Sequence, residues 1–260
     1  MRVRMPWPQA KAGADAVGEG ADQDHWKGDG WSLGKLNCTV YFIGGKGDDM
    51  VRRGEVLRDH ILAAAKEAFL EAGFERTSMD AIAARAETSK RSLYAHFPTK
   101  DVLFVAVAER IQELFRGRLM TPEHYGETPA EAVTIFCGRF LQMLGWTSVA
   151  RTCRLGISEA ERTPEVSAQL YEAIFGTATG QLASYLSDRY EVDDAEAKAL
   201  AARLLGTVVY PALPEILFGV RPLRTALPEV RTLADDVDLD AVRRGVEAVL
   251  ATVQGGTAAD

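Results

Sequence analysis

From about Glu55 onward the chain repeats one pattern: apolar residues at three- and four-residue steps, in stretches closed by glycine, proline or a short polar turn. A helix puts such positions on one face, whereas a half-buried strand would need strict alternation. Leu57, Ile61, Ala64, Ala65, Ala68, Phe69 and Ala72 form one stripe, and Gly73 supplies its stop. Met79, Ile82, Ala83 and Ala86 repeat the pattern in a short second helix, with Thr77 or Ser78 available as N-cap. A third short helix follows Thr88 and Ser89 and is ended by Pro98, and Thr99 can cap a fourth that begins at Lys100. Farther on, the same period predicts helices near 100–118, 128–146, 148–160, 164–189, 193–219 and 237–254. Pro129, Pro164 and Pro228 fall at starts or in loops, while Pro211 and Pro214 should kink or break the run that holds them. The expected fold class is all-α, an N-terminal three-helix bundle followed by a larger helical domain.

Residues 1–49 break with this pattern. They hold nine of the 23 glycines and three of the four tryptophans (Trp7, Trp26 and Trp31) without any period, so a disordered extension is expected. Their one strand-like run, Cys38 to Ile43, ends in Gly44-Gly45-Lys46-Gly47. That is no phosphate loop, because no Ser or Thr follows the lysine and no glycine stands five residues before Gly45. Met50 is the expected biological start, since Met-Val-Arg-Arg-Gly-Glu opens directly into the first helix. The division read from the chain is 1–49 extension, 50–104 helix-turn-helix domain, 105–254 second domain and 255–260 tail.

Composition excludes several classes. No apolar run approaches the roughly 18 residues of a membrane span, and the basic start Met1-Arg2-Val3-Arg4 has no apolar region behind it, so a cytoplasmic protein without membrane contact is expected. Four scattered histidines and three cysteines fit no metal spacing, and no cofactor loop or acid/base pair stands out; neither metal, cofactor nor catalytic site is expected. Net charge is −7, which argues against coating nucleic acid with the whole surface. Residues 50–104, however, carry nine Lys/Arg against eight Asp/Glu, and the other 205 residues carry 21 against 29. A locally basic face on an acidic body suits site-specific DNA binding.

Three helices, the second and third parted only by Glu87-Thr88-Ser89, describe a helix-turn-helix. Leu93 and Phe97 would face inward onto Ile82, Phe69 and Ile61. The opposite face then shows Lys90, Arg91, Ser92, Tyr94 and Ala95, a compact set of donors with one aromatic, suited to phosphates and base edges.

The stretch GFERTSMDAIAARAETSKRSLYAHFPTKDVLF, residues 73–104, closely resembles the signature of the TetR family of regulators. The Gly-Phe after helix one, the Thr-Ser…Ile-Ala opening of helix two and the Ser-Lys…Leu-Tyr…His-Phe…Thr-Lys block occur in order and at the family's spacing. The resemblance implies a homodimer on a pseudo-palindromic operator in double-stranded DNA. It also implies that Ser89 caps the recognition helix and that Lys90, Arg91 and Ser92 approach the bases. Tyr94 and His96 would reach phosphates or flank the groove, Lys100 would clamp a backbone phosphate, and Thr77 or Ser78 would offer a second phosphate contact. Two positions depart from the family pattern: Glu87 and Arg91 stand where glycine is usual. Glu87 in a turn needing positive φ costs on the order of 1 kcal/mol, and Arg91 adds a donor.

Residues 154–175, RLGISEAERTPEVSAQLYEAIF, are similar to the corresponding segment of the AefR-like subgroup. This implies that residues 106–254 form a pocket for a small-molecule effector and that the last two long helices pair with a second copy in a four-helix bundle. Leu200, Leu204, Leu205, Val208, Val209, Leu213, Val242, Val246, Val249 and Leu250 supply apolar stripes for that pairing. Phe115, Phe136, Phe140, Met143, Trp146, Cys153, Tyr171, Phe175 and Tyr210 are the expected pocket lining, suited to an apolar or aromatic effector. Arg151, Arg154 and Glu159 are placed to orient a polar group of it. The alternative input is redox sensing through Cys137 and Cys153, the latter between Arg151 and Arg154.

Overall fold

The computed structural model describes residues 46–225, 233 and 237–256. The periodic stretches become α1 (Lys46–Ala72), α2 (Met79–Arg85), α3 (Lys90–His96), α4 (Lys100–Phe115), α5 (Pro129–Leu144), α6 (Thr147–Ser158), α7 (Pro164–Tyr171), α8 (Thr177–Tyr190), α9 (Asp194–Val209), α10 (Leu213–Phe218) and α11 (Leu239–Gly256). Among the described residues there is no strand, only a single bridge between Trp146 and Arg224. The fold is all-α.

Local chemistry sets the helix boundaries. Side-chain oxygens of Ser78, Ser89, Thr99, Thr128 and Asp193 each accept a hydrogen bond from the N–H three residues on, filling donors the first turn leaves open. Gly73 adopts φ +81° and its N–H donates to the Phe69 carbonyl at 2.8 Å, ending α1.

Some boundaries differ from the periodic reading. α1 starts at Lys46, ahead of Met50, and α11 continues to Gly256; the remainder of the 1–49 extension, including Cys38, and of the tail lies outside the described residues. The run 193–219 is two helices. α9 ends at Val209, the chain turns through Tyr210-Pro211-Ala212, and Pro214 sits in the first turn of α10, where its missing N–H costs nothing. The run 164–189 is continuous except for a π turn at Glu172–Gly176 that joins α7 to α8.

In the N-terminal bundle α1 packs on α2 and α4, and α2 on α3. Its centre is a trio of rings, Phe69, Phe74 and Phe104, with centroids 5.0–5.7 Å apart. Ile61, Ile82, Leu93 and Phe97 close over it, as the spacing predicts. α4 belongs to both parts: Leu103 and Phe104 serve the N-terminal core, while its length carries it to α7 and the π turn. In the second part α8 packs on α9, and α11 packs on α5 and α9.

That packing overturns one expectation. Leu204 and Val246 are fully buried, and Leu200, Leu205, Val208, Val209, Val242, Val249 and Leu250 are buried beside them, all within one protomer. The stripes expected to pair with a second copy are already covered by α5, α8 and each other, because burying a Leu or Val side chain contributes about 1.5–3 kcal/mol wherever the partner surface comes from.

Candidate nucleic-acid interface

The turn between α2 and α3 is built from backbone. Glu87 N–H donates to Ala84 O at 3.1 Å and Thr88 N–H to Ala83 O at 3.0 Å, and the chain reverses through Glu87 at φ +48°. A non-glycine residue therefore occupies the left-handed conformation that the resemblance implied. Ser89 next caps α3, its Oγ accepting from Ser92 N at 3.0 Å and lying 2.9 Å from Ser92 Oγ. Glu71 and Arg85 form a two-pronged pair (2.8 and 2.9 Å) that ties α1 to α2, and that hydrogen bonding holds the Glu71 carboxyl below its ordinary value.

The outer face of α3 carries the predicted donors in distinct states. Arg91 is exposed and makes no ion pair among the described residues, so its five donors are available. Lys90 Nζ donates to Asp80 Oδ2 at 2.6 Å across to α2, an exposed pair that a phosphate must displace. Tyr94 is half-exposed, and His96 is half-buried with its ring 6.4 Å from that of Phe97. An open groove of about 530 Å³ runs beside the helix, lined by Glu75, Thr77, Ser78, Met79, Asp80, Tyr94, Thr99 and Lys100.

Two expected phosphate contacts prove to be internal. Thr77 is buried, and its hydroxyl lies 2.7 Å from Gly73 O and 3.2 Å from Ala68 O, sealing the end of α1. Of the pair Thr77 or Ser78, only Ser78 faces the groove exposed. Lys100 spends its ammonium on the carbonyls of Phe74 (3.0 Å), Thr77 (3.1 Å) and Glu75 (3.4 Å), with Nζ 4.1 Å above the Phe74 ring. It clamps the α1–α2 turn, because three fixed carbonyls and a ring face are close enough to replace its hydration shell.

In the second part the expected lining splits. Phe115, Phe136, Phe140, Trp146 and Cys153 are buried, and Met143 and Phe175 are half-buried. Phe175, in the π turn, stands edge-on to Phe140 at 5.9 Å and stacks with Tyr171 at 5.5 Å. Tyr171 and Tyr210 themselves are exposed, at 57% and 69%, and do not point into the interior. Trp146 is held in place, its Nε1 donating to Thr225 O at 3.2 Å. Arg154 is committed to the last carbonyls of α10, donating to Ile216 O at 2.7 Å and Leu217 O at 2.9 Å, and the Glu159 carboxylate is taken by Arg162 at 2.7 Å. Neither is left to orient a ligand.

Sequence reasoning passed over two polar residues on α5. Thr134 and Gln142 are buried, and Thr134 Oγ1 and Gln142 Nε2 have no hydrogen-bond partner. The signal was present: both sit among apolar residues of α5 at an eight-residue interval, which returns near the same face. The redox reading fails on burial. Cys137 and Cys153 are free thiols, and burial pushes each up to about 12, with Arg154 too weak to offset it at Cys153.

Comparison with known proteins agrees with this architecture. A family profile described as bacterial regulatory proteins of the tetR family matches residues 61–107, and one described as the C-terminal domain of AefR-like transcriptional repressors matches residues 131–214. The HTH-type transcriptional regulator TcmR of Streptomyces glaucescens is 26% identical over 204 residues, covering 78% of this chain and 85% of that protein. Among solved structures, a TetR-family regulator from Mesorhizobium loti shares the fold with a TM-score of 0.61 at 23% identity, covering 77% of this chain and 98% of the other. The flavonoid-responsive regulator FrrA has a TM-score of 0.59 at 26% identity, covering 78% and 97%.

Proposed function

This chain belongs to the TetR family of bacterial regulatory proteins, a DNA-binding transcriptional regulator and not an enzyme, and on that premise we propose a homodimeric repressor released from its operator by a small aromatic effector. The observation that carries the DNA reading is the exposed α3 face, on which Arg91 stands without an ionic partner at the start of a serine-capped helix. Arg91 reads base edges, Ser92, Lys90 and His96 support it, and Ser78 and Tyr94 meet the phosphates along the groove. Lys100 contributes by fixing the turn that presents Ser78. The AefR-like match, described as a repressor's domain, supports repression over activation.

The effector reading rests on the aromatic cluster of Phe140 and Phe175 at the π turn, which packs on α4. FrrA is by name flavonoid-responsive, and planar phenolic compounds are the class to try first. The dimer reading moves to the outer faces of α8 and α9, where Gly180, Ser184, Ala199, Ala202 and Gly206 are exposed and small enough for close approach.

The test is selection of duplexes from a random pool, followed by affinity measurements with and without a flavonoid panel. Two half-sites about one helical turn (about 34–36 Å) or slightly more apart are expected. Arg91→Ala should relax preference at one or two base positions. Equal weakening on every sequence would show that Arg91 is not a base reader.

A further inference from the structure

The chain turns sharply between α6 and α7, and Arg162 projects from that turn onto the N-terminal bundle. Its Nε donates to Glu159 Oε2 at 2.7 Å, one Nη donates to Asp101 Oδ1 at 2.9 Å, and Nε lies 3.7 Å from Glu75 Oε1. The guanidinium carbon sits 3.5 Å from the centroid of the Phe74 ring. One side chain thus binds three elements: the α6–α7 turn through Glu159, the α1–α2 turn through Phe74 and Glu75, and the start of α4 through Asp101. Glu159 is only 5% exposed, so its carboxylate is fixed and holds the guanidinium in one orientation.

What Arg162 touches is what presents the DNA-facing groove. Phe74 carries the Lys100 ammonium on its ring and on its carbonyl, and Lys100, Ser78 and Tyr94 line the groove. Arg162 caps the ring trio from outside, over Phe74 and 5.9 Å from the Phe104 centroid, while the bundle's own packing runs from α1 onto α2 and α4. The contact therefore bears on where the bundle sits relative to the second domain as well as on its stability. A planar fork that stacks and donates in two directions is a task for arginine; a lysine can serve one acceptor at a time.

We infer that Arg162 is the positioning residue through which the C-terminal domain sets the placement of the read head on DNA. Glu159 and Arg162 both fall in the Glu-Ala-Glu-Arg stretch of the segment similar to AefR-like proteins. The inference rests on the proposed reading of a dimer with two heads, because a change in head placement is seen as a change in half-site separation.

The full-length protein and its Arg162→Ala, Arg162→Lys and Asp101→Asn variants are each used to select duplexes from the same random pool, with thermal unfolding followed in parallel. The wild type should enrich one half-site separation. Arg162→Ala should spread over separations differing by a base pair or more and lose about tenfold on the wild-type duplex. Arg162→Lys should recover only part of the preference. Selection of the same separation by Arg162→Ala, with affinity within about twofold, overturns the inference. If Arg162→Ala does not fold, Asp101→Asn decides by the same two readings, since it changes one exposed carboxylate. A wild-type protein that enriches no paired half-sites overturns the dimer reading and this inference with it, which separates the two failures.

Discussion

At the scale of residues, a cation serves the acceptors that are nearest and best fixed, and Lys100 and Arg91 illustrate the two outcomes. Both were read as DNA contacts. Arg91 has no carboxylate or carbonyl in reach among the described residues and stays exposed, whereas Lys100 is surrounded by the ends of α1 and α2. Lys100→Met should therefore act on stability first. It removes the Lys100 donor from the part-buried Thr77 carbonyl and leaves the Phe74 carbonyl only the Thr77 N–H, at a cost of about 1–3 kcal/mol. A denaturant titration read by far-ultraviolet circular dichroism measures this, and an unchanged midpoint would return Lys100 to a solvent- or phosphate-facing role. The same competition disposes of the thiol switch, since desolvation outweighs neighbouring arginine at Cys153.

At the scale of elements, the α2–α3 turn carries strain that one substitution can relieve. Glu87 at φ +48° places a Cβ where an L-residue is disfavoured, and its exposed side chain stands in the turn before α3, the helix proposed to face DNA. Glu87→Gly should stabilise the protein by about 0.5–1 kcal/mol, the relief of the left-handed conformation less the extra entropy glycine loses on folding. It should also tighten binding to every duplex alike by removing a like charge. Unfolding free energy and anisotropy titrations at one salt concentration test both, and a destabilised variant would contradict the strain argument. This turn was legible in its shortness and in the resemblance, which puts glycine where Glu87 stands. The π turn at Glu172–Gly176 was not: one extra residue in a helical turn leaves the apolar spacing nearly intact, and only the hydrogen-bond register reveals it.

For the whole molecule, the question is which helix faces are spent inside the protomer. Leu204 and Val246 are, so Leu204→Glu should unfold the chain instead of splitting a dimer, because an unpaired carboxylate would be buried at a cost of several kcal/mol. Gly206 lies on the opposite side of α9, exposed and with open space where a Cβ would stand. Gly206→Glu should keep or slightly raise the melting temperature, as glycine is a poor helix former by about 1 kcal/mol. It should nonetheless convert the proposed dimer to monomer in sedimentation experiments, by placing a carboxylate near its two-fold mate. A Gly206→Glu protein that sediments as a dimer would remove the α8–α9 face from consideration. Trp146→Ala, by contrast, is expected to be costly: the ring is 2% exposed and bonded to Thr225, so its loss cannot leave the fold untouched.

The sequence by itself determined most of the helices, the caps at Ser78, Ser89 and Thr99 and the helix-turn-helix, because each is decided by residues within a few positions of one another. Periodicity marks the buried face, a serine or threonine marks the start, and Leu93 and Phe97 must face Ile82 and Phe69 if α3 follows α2 so closely. What the tertiary structure decided is which partner each group finds when several are possible. Periodicity states that Leu204 and Val246 are buried but not whether by α5 and α8 or by a second copy. Charge states that Lys100, Arg154 and Arg162 are polar but not that each meets an acceptor across a fold contact. Such pairings depend on distances between elements remote in the chain, and the spacing of residues along one helix carries no information about them.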